Sequence, residues 1–262
     1  MTTLLRHSLL HRTRRAVQRI GIDICRYPGS WSGPQLVQLL RRAEIDTVLD
    51  AGAHAGGYGS MLRAAGFDGR IVSFEPLPGP RAELLQVSAE DDRWTVLPYA
   101  LGDTDGTTVM NVAGNAGASS SVLPMLPRHR SAAPHAAYTG RQTVEVRRLD
   151  GLWEQATAPG ERVFLKLDVQ GFEAHVLRGL GEFTDEIAGL QMETSFVPLY
   201  EGGLLFDEAL AYGRKKLGMT VMAVLPGFID PHTGQMLQCD LVLFQESDCH
   251  QDTAAERAEA RV

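Results

Sequence analysis

A glycine-rich turn follows the first apolar run of the sequence, in the stretch TVLDAGAHAGGYGS (47–60). Asp50 stands at the end of that run and is followed by three glycines, Gly52, Gly56 and Gly57. Glycine permits unusual backbone angles and lets a ligand approach main-chain N–H groups closely. An enzyme that binds a dinucleotide normally carries GxGxxG here, whereas His54 occupies the middle glycine position. Because the carboxylate of Asp50 repels a pyrophosphate and attracts an ammonium or sulfonium group, the turn favours a cationic nucleoside.

A second acidic residue ends the next apolar run. Glu75 closes RIVSFEP, 25 residues after Asp50. A carboxylate at such a strand end can accept two hydrogen bonds from ribose hydroxyls, each worth roughly 1.5–3 kcal/mol. Either acid alone could instead cap the helix that follows it. The two acids on successive strands, with the glycine turn between them, predict an adenosine that carries a positively charged amino-acid tail, which describes S-adenosylmethionine.

Apolar runs and helix-like segments alternate along most of the chain. Strands are predicted at 47–51, 70–76, 94–101, 143–150, 162–169, 186–194, 219–226 and 238–246. Helices are predicted at 33–42, 58–65, 80–89, 171–180 and 206–217. This alternation is typical of an open, mostly parallel α/β sheet, and the short connection between the last two strands predicts an antiparallel hairpin. Ligands of such sheets bind at the carboxyl ends of the strands, where Asp50 and Glu75 stand.

Composition limits the function classes. The chain has 262 residues, of which 44% are hydrophobic and 22% charged, which suffices for a large core. A net charge of −7 without a basic stripe over the body disfavours a nucleic-acid partner. No run approaches the ~20 apolar residues of a membrane span. The three cysteines lack a CxxC spacing, so we expect a reducing, cytoplasmic location without structural zinc.

The first 42 residues differ in charge from the rest of the chain. They carry eight arginines and one acid, so they hold about +7 and leave about −14 on the remainder. We expect a basic helical extension over residues 1–42, the catalytic domain over 43–246 and a polar, flexible tail over 247–262. The extension lacks the apolar core of a signal peptide. It could lie on an anionic membrane surface as a peripheral contact, or pack on the acidic body.

Six motifs occur in order between residues 48 and 179, within a resemblance that runs over residues about 46–245: VLDAGAHAGGYG, IVSFEPLPGPRAEL, YALGD, SSS, RRLD and FLKLDVQGFEAHVLRG. Together they resemble the FkbM family of S-adenosylmethionine-dependent methyltransferases, and the pair FEP and KLDVQGFE is the most specific part. The resemblance implies a Rossmann-like class I methyltransferase fold, with a seven-stranded, mostly parallel sheet and a C-terminal antiparallel hairpin. It also implies methylation of hydroxyl oxygens on polyketides, sugars or glycolipids.

The resemblance also implies residue roles. Cofactor contacts are implied at Asp50, Gly52, His54, Tyr58, Glu75, Leu101 and Asp103. Asp168 and Glu173 match the family motif DVEGxE, and Glu173 is assigned to substrate binding. Two positions depart from the family: His54 stands where Asn is usual, and Gln170 replaces the acid in the middle of DVEGxE. The second departure predicts altered chemistry if that acid serves substrate or metal.

Residues 103–142 interrupt the alternation. This segment is rich in Gly, Ser, Ala and Pro, so it is predicted to be an irregular substrate-binding or lid segment. Ser119, Ser120 and Ser121 offer hydroxyl groups suited to a polyhydroxylated substrate or to the cofactor.

A base is needed when a hydroxyl oxygen accepts a methyl group, because alcohols have a high pKa. Asp168 at the end of the KLD strand is the first candidate, followed by Glu193 in QMET and His175 on the next helix. His129 and His135 could reach in from the irregular segment, and Lys166 should face the other way or pair with an acid. Asp168 and Glu193 could also hold Mg²⁺. A metal is not favoured, because Thr194 and Ser195 follow Glu193 where a second acid would be needed.

The sequence therefore predicts an O-methyltransferase that acts on a hydroxyl of a small molecule, a sugar of a glycosylated natural product or of a glycolipid. A polyketide hydroxyl is an alternative acceptor. A scaffold that binds S-adenosylmethionine without catalysis is a second alternative, which the acids at 50, 75 and 168 disfavour. The missing GxGxxG disfavours a nicotinamide-dependent oxidoreductase. No oligomeric state is predicted.

Overall fold

A computed structural model describes residues 33–245. The expected polar tail lies outside the described residues. Most of the expected basic extension, with its expected membrane contact, also lies outside them. The described residues form ten strands: β1 (Thr47–Ala51), β2 (Arg70–Phe74), β3 (Trp94–Leu97), β4 (Ala100–Gly102), β5 (Gly106–Ala113), β6 (Tyr138–Arg148), β7 (Val163–Leu167), β8 (Ile187–Ser195), β9 (Met219–Pro226) and β10 (Gln238–Gln245). Within the described part, no helix is long and apolar enough to cross a membrane.

The helices fall largely where apolar spacing predicts them. They are α1 (Gly33–Arg42), α2 (Gly57–Ala64), α3 (Pro78–Ser88), α4 (Pro127–Ala132), α5 (Trp153–Ala156), α6 (Glu173–Gly179) and α7 (Phe206–Ala211). A π-helical segment, Tyr212–Lys216, continues α7 over the predicted range 206–217. In α1 the residues that face the core are Leu36, Val37 and Leu40, at the spacing of one helical face.

The main sheet confirms the predicted fold. Seven strands lie in the order β3–β2–β1–β7–β8–β10–β9. Strands β3, β2, β1, β7 and β8 are parallel, while β10 runs antiparallel to both β8 and β9. The chain moves outward from β1 to β3 and then returns to the other side of β1 with β7. That reversal is the topological switch point, where ligands of such sheets bind.

Layers of apolar side chains cover both faces of this sheet. Successive residues of a strand point to opposite faces, so Leu49 enters one core and Val48 the other. The first core includes Val72, Leu165 and Leu190, and the second includes Ile71, Phe164 and Val242. Full burial of each such side chain contributes roughly 1.5–3 kcal/mol, so the central strands are the stable platform of the site.

A second sheet corrects one prediction. Strands β4, β6 and β5 form a three-stranded sheet, with β5 antiparallel and β4 parallel to β6. The segment 103–142 is therefore not irregular throughout, since it contains β5, α4 and the beginning of β6. The predicted strand 94–101 is two strands separated by Pro98 and Tyr99. Most side chains of β5 are exposed or half-buried, so its sequence GTTVMNVA lacks the apolar run that reveals a core strand.

Candidate active site

A cleft lies at the carboxyl edge of the main sheet, over the switch point. It holds about 550 Å³ of open space. Its polar lining includes Gly52, His54, Glu75 and Asp168, which follow the ends of β1, β2 and β7. Its apolar lining comes from the second sheet and its neighbours, including Leu77, Leu101, Met110, Val122 and Phe172. A partly apolar cleft with a few convergent polar groups is the usual form of a small-molecule site.

The glycine turn brings three strand ends together. Gly52 has a φ of +76°, and a Cβ added there would lie 1.9 Å from the carbonyl oxygen of Asp168. The backbone N–H groups of Gly52 and Ala53 both donate to the carbonyl oxygen of Phe74. Any side chain at this position would therefore push β7 away from β1 and open the floor of the cleft.

Glu75 is the acidic group that the turn presents to the cleft. Its side chain is 5% exposed, and its two oxygens accept hydrogen bonds from the backbone N–H groups of His54 (2.9 Å) and Leu77 (2.8 Å). Burial raises the pKa of the Glu75 carboxyl, although these two bonds act against that rise. Each oxygen retains acceptor capacity, so the carboxylate can bind further hydroxyl donors from the cleft.

Asp50 lies beneath the turn rather than in the cleft. It is fully buried and does not line the cavity. Its Oδ1 forms an ion pair with Lys166 Nζ at 3.1 Å, and Lys166 also donates to the carbonyl oxygen of Gly52 at 3.0 Å. Burial alone would lower the pKa of the Lys166 ammonium, but the charges of Asp50 and Asp168 raise it instead. The structure thus gives Lys166 the acid partner that the sequence suggests. Asp50 also accepts a hydrogen bond from the Ser73 hydroxyl at 3.2 Å, and its charge adds to the rise that burial causes in the pKa of Glu75.

Asp50→Ala is expected to lower the free energy of unfolding by about 3 kcal/mol, because it removes the nearer of the two carboxylates that face the buried Lys166 ammonium. Urea unfolding at neutral pH measures this loss. The double variant Asp50→Ala/Lys166→Met removes both charges and should recover part of the stability. A single Asp50→Ala variant within about 0.5 kcal/mol of the wild type would show that the ion pair contributes little.

Three other predicted residues also lie away from the cleft. The Tyr58 hydroxyl donates to Gln191 Oε1, and its ring lies 5.3 Å from Lys166 Nζ. Asp103 accepts from His175 Nδ1 at 2.9 Å and from Arg178 at 3.0 Å. The His175 ring stacks on Phe172 with centroids 4.0 Å apart, so it supports the cleft wall and does not reach Asp168.

A second cavity adjoins the cleft. It holds about 660 Å³ and shares Ala118, Asp168 and Gln170 with the cleft. The rest of its polar lining consists of Asn115, Ser119, His129, His135, Glu193 and Gln238. Asp168 therefore stands at the junction of the two spaces, with a side chain that is 36% exposed and 3.6 Å from Lys166 Nζ.

The three serines have three different positions. Ser119 lines the second cavity, Ser120 lines the cleft, and Ser121 is fully buried. The Ser121 hydroxyl donates to the backbone carbonyl of Gln170 at 2.7 Å and so fixes the loop after β7. Residues 113–121 are also tied to the glycine turn, since His54 Nε2 lies 3.0 Å from the carbonyl oxygen of Ala116. This segment covers the cleft from above.

A hydrogen-bond network joins the two carboxylates at the junction. Gln170 Nε2 donates to Asp168 Oδ1 and to Glu193 Oε2, each at 2.7 Å, while Gln238 Nε2 donates to the same Glu193 oxygen at 2.8 Å. Tyr200 donates its hydroxyl to Gln170 Oε1. Burial and the nearby Asp168 carboxylate raise the pKa of Glu193 well above its ordinary value. The sequence suggested Gln170 only through its departure from a motif, and no signal pointed to Tyr200 or Gln238.

The sequence of this chain matches a known protein family. A model of the methyltransferase FkbM domain matches residues 50–218, which is more than half of the chain. The chain belongs to the FkbM methyltransferase family. No curated protein matches its sequence.

Solved methyltransferases are similar to this FkbM protein at low identity. Fibrillarin from Aeropyrum pernix, in complex with natively bound S-adenosyl-L-methionine, is 13% identical with a TM-score of 0.43, over 81% of this chain and 76% of its own. A SAM-dependent methyltransferase from Aquifex aeolicus is 12% identical with a TM-score of 0.38, over 81% of this chain and 89% of its own.

S-adenosylmethionine is the cofactor of this FkbM methyltransferase, and the cleft fits it. The Glu75 carboxylate suits the ribose hydroxyls, and the apolar wall from Leu101 to Phe172 suits the adenine ring. The carboxylates of Glu75 and Asp168 give the cleft the negative charge that a sulfonium and an ammonium group require. We expect Gly52, His54, Glu75 and Leu101 to contact the cofactor.

Glu173 does not line either cavity of the FkbM domain. It is 2% exposed, and its Oε1 accepts from the backbone N–H groups of Val169 (3.0 Å) and Gly171 (3.2 Å). It therefore shapes the turn that carries Asp168 and Gln170, and the structure does not place it for direct substrate contact. Burial raises its pKa to about 7.

The stability of the FkbM protein should consequently depend on pH through Glu173. The folded state holds the proton up to about pH 7, whereas the unfolded carboxyl releases it near pH 4.5. Stability from this group is fully present below pH 4.5 and is lost as the pH rises through 7, by about 3 kcal/mol. Glu173→Gln cannot titrate, so urea unfolding between pH 4.5 and 8 should show a smaller pH-dependent loss than in the wild type. Parallel pH profiles for the two proteins would contradict this assignment.

Proposed function

We propose that this FkbM methyltransferase transfers a methyl group to a hydroxyl oxygen of a small polyhydroxylated acceptor, a sugar of a glycosylated natural product or of a glycolipid. The observation that carries the proposal is the position of Asp168, where the cofactor cleft meets the second cavity. An acceptor in the second cavity would thus reach the methyl donor beside a carboxylate.

The lining of the second cavity supports a sugar-like acceptor. Amide, hydroxyl and imidazole groups line it, with Phe228 as an aromatic surface. A polyhydroxylated ring can bond to the donor and acceptor capacity that the mutual hydrogen bonds of these groups leave over, which an apolar acceptor cannot do. His129 is 3% exposed and its Nδ1 has no hydrogen-bond partner within the described residues.

Burial lowers the pKa of His129 to about 4. Its imidazole is therefore neutral at physiological pH and a weak base, so it suits hydrogen bonding to the acceptor better than proton removal. This leaves the role of the base to Asp168.

Asp168 would take the hydroxyl proton as the acceptor oxygen forms its new bond to carbon. When bound, S-adenosylmethionine supplies the activated methyl group. Lys166, at 3.6 Å, stabilises the negative charge on Asp168 before proton transfer. Residues 113–121 and Phe172 limit water access to the junction, and the two cavities hold both reactants in place. Such positioning can lower the activation free energy of the transfer by on the order of 7–11 kcal/mol.

The test is methyl transfer from methyl-tritiated S-adenosylmethionine to a panel of glycosides, nucleotide sugars, glycolipids and polyketide alcohols. We expect labelled methyl ether only on hydroxylated carbohydrate acceptors. Calorimetry with S-adenosylhomocysteine on the same sample establishes that the cleft is intact.

Two outcomes would contradict the proposal. Transfer to polyketide alcohols but to no carbohydrate would assign the second cavity to another acceptor class. Cofactor binding without transfer to any acceptor of the panel would favour a scaffold that binds S-adenosylmethionine without catalysis.

A further inference from the structure

Gln170 stands between the two carboxylates at the junction. Its backbone is in the left-handed region, with a φ of +55°, and its side chain is 8% exposed. Its backbone carbonyl is fixed by the hydroxyl of Ser121 at 2.7 Å. A residue held this firmly at the meeting point of two cavities must present its side chain in one orientation.

The hydrogen bonds determine that orientation. A primary amide has two N–H donors and a carbonyl acceptor. Here one N–H is within reach of Asp168 Oδ1 and the other of Glu193 Oε2, while the carbonyl accepts from the Tyr200 hydroxyl at 2.5 Å. The reversed amide would turn its oxygen toward both carboxylates, which only accept hydrogen bonds when ionised. Every polar group of the side chain is thus matched in one arrangement.

We propose that Gln170 is a positioning residue that takes the place of a divalent cation between Asp168 and Glu193, so that the acceptor site works without a metal there. The proposal rests on the role given above to Asp168. Gln170 keeps the Asp168 carboxylate aimed at the acceptor.

The charges of the Asp168 and Glu193 carboxylates explain why a group is needed between them. Two carboxylates that converge in a buried place need a proton, a cation or hydrogen-bond donors between them. The Gln170 amide supplies one donor to each, and Lys166 supplies the nearest positive charge on the far side of Asp168. An amide nitrogen is not a ligand for Mg²⁺ or Mn²⁺, which take oxygen donors. The arrangement therefore repels the ion that a third carboxylate would attract.

Gln170→Glu replaces the amide donor between Asp168 and Glu193 by a third carboxylate. Three carboxylates would then converge at the junction, with oxygen donors suited to Mn²⁺. Electron paramagnetic resonance of Mn²⁺ titrated into the full-length protein measures the bound fraction directly. We expect the wild type to leave millimolar Mn²⁺ free and Gln170→Glu to bind it at least ten-fold more tightly.

Two controls separate site formation from added charge. The double variant Gln170→Glu/Glu193→Gln should lose the bound signal, because one of the three ligands is removed. Gln142→Glu places the same extra charge on an exposed strand position and should behave as the wild type. The affinity for S-adenosylhomocysteine, measured on each sample, reports whether the neighbouring cleft has kept its shape.

A second measurement needs no new metal site. The side-chain amide protons of Gln170 in a ¹H–¹⁵N spectrum, assigned by their loss in Gln170→Leu, should exchange slowly and shift in both Asp168→Asn and Glu193→Gln. Amide signals that neither substitution moves would overturn the proposal. Wild-type protein that binds Mn²⁺ and loses it in Asp168→Asn would also overturn it.

Failure of this inference can be told from failure of the proposed function. Mn²⁺ binding by the wild type together with methylation of carbohydrate hydroxyls would reject only the role of Gln170. The expected Mn²⁺ and amide results without methyl transfer to any carbohydrate would reject only the acceptor class.

Discussion

Glu75→Ala is expected to weaken the binding of S-adenosylhomocysteine by about 10²–10⁴-fold, since two hydrogen bonds to a charged group are lost at roughly 1.5–3 kcal/mol each. The carboxylate lines the cleft and is held by the N–H groups of His54 and Leu77. Its loss therefore removes the ribose acceptor and loosens the glycine turn beside it. Isothermal titration calorimetry measures the affinity.

Two further variants sharpen this prediction. Glu75→Gln keeps the size of the side chain but places an NH₂ group against one of the two backbone N–H donors, so it should also bind weakly. Glu83→Ala removes an exposed acid from α3, only eight positions along the chain, and should bind as the wild type. Unchanged affinity in a folded Glu75→Ala protein would remove Glu75 from the cofactor site.

Asp168→Asn should lower kcat by about 10²–10⁴-fold on a methylated acceptor, which is the usual contribution of a positioned general base. The asparagine oxygen can still accept from Gln170, so the junction keeps its shape while the group loses its ability to take a proton. The affinity for S-adenosylhomocysteine should change little by comparison. Single-turnover kinetics with labelled cofactor separates the chemical step from binding.

The matched control is Asp207→Asn, which neutralises an exposed carboxylate at the beginning of α7. It should leave kcat unchanged. A near-normal kcat in Asp168→Asn would move the base to another group of the second cavity, with Glu193 as the remaining carboxylate.

The sequence predicted the main sheet well because its strands are apolar runs, and the central ones, such as β1 and β7, are buried on both faces. TVLDA and MTVMAVLP match β1 and β9 residue for residue. The second sheet was missed because β5 is largely exposed and its partner β6 is distant in sequence. Such a pairing depends on tertiary contacts that no local pattern reveals.

The site was predicted in part, and the misplacements have a physical cause. Glu75 and Asp168 each stand one residue beyond the end of a strand, so their side chains reach the cleft. Asp50 stands one residue before the end of β1, still inside the sheet, and is buried beneath it. Successive side chains of a strand point to opposite faces. A correct range for β1 therefore does not show whether Asp50 reaches the cleft or lies beneath it. Two partners of Gln170, Tyr200 and Ser121, lie 30 and 49 positions away, beyond any local motif.

The contacts of Lys166 couple the cofactor cleft to the second cavity. One ammonium group touches the buried acid of β1, supports the floor of the cofactor cleft at Gly52 and faces Asp168. A ligand that draws this ammonium toward Asp168 would therefore change the electrostatic balance under the cofactor. Thermodynamic linkage requires the converse, so that bound cofactor changes the affinity of the second cavity for its ligand by the same free energy. Binding in the cofactor cleft and binding in the second cavity are in this way coupled through Lys166, the counter-ion that both share.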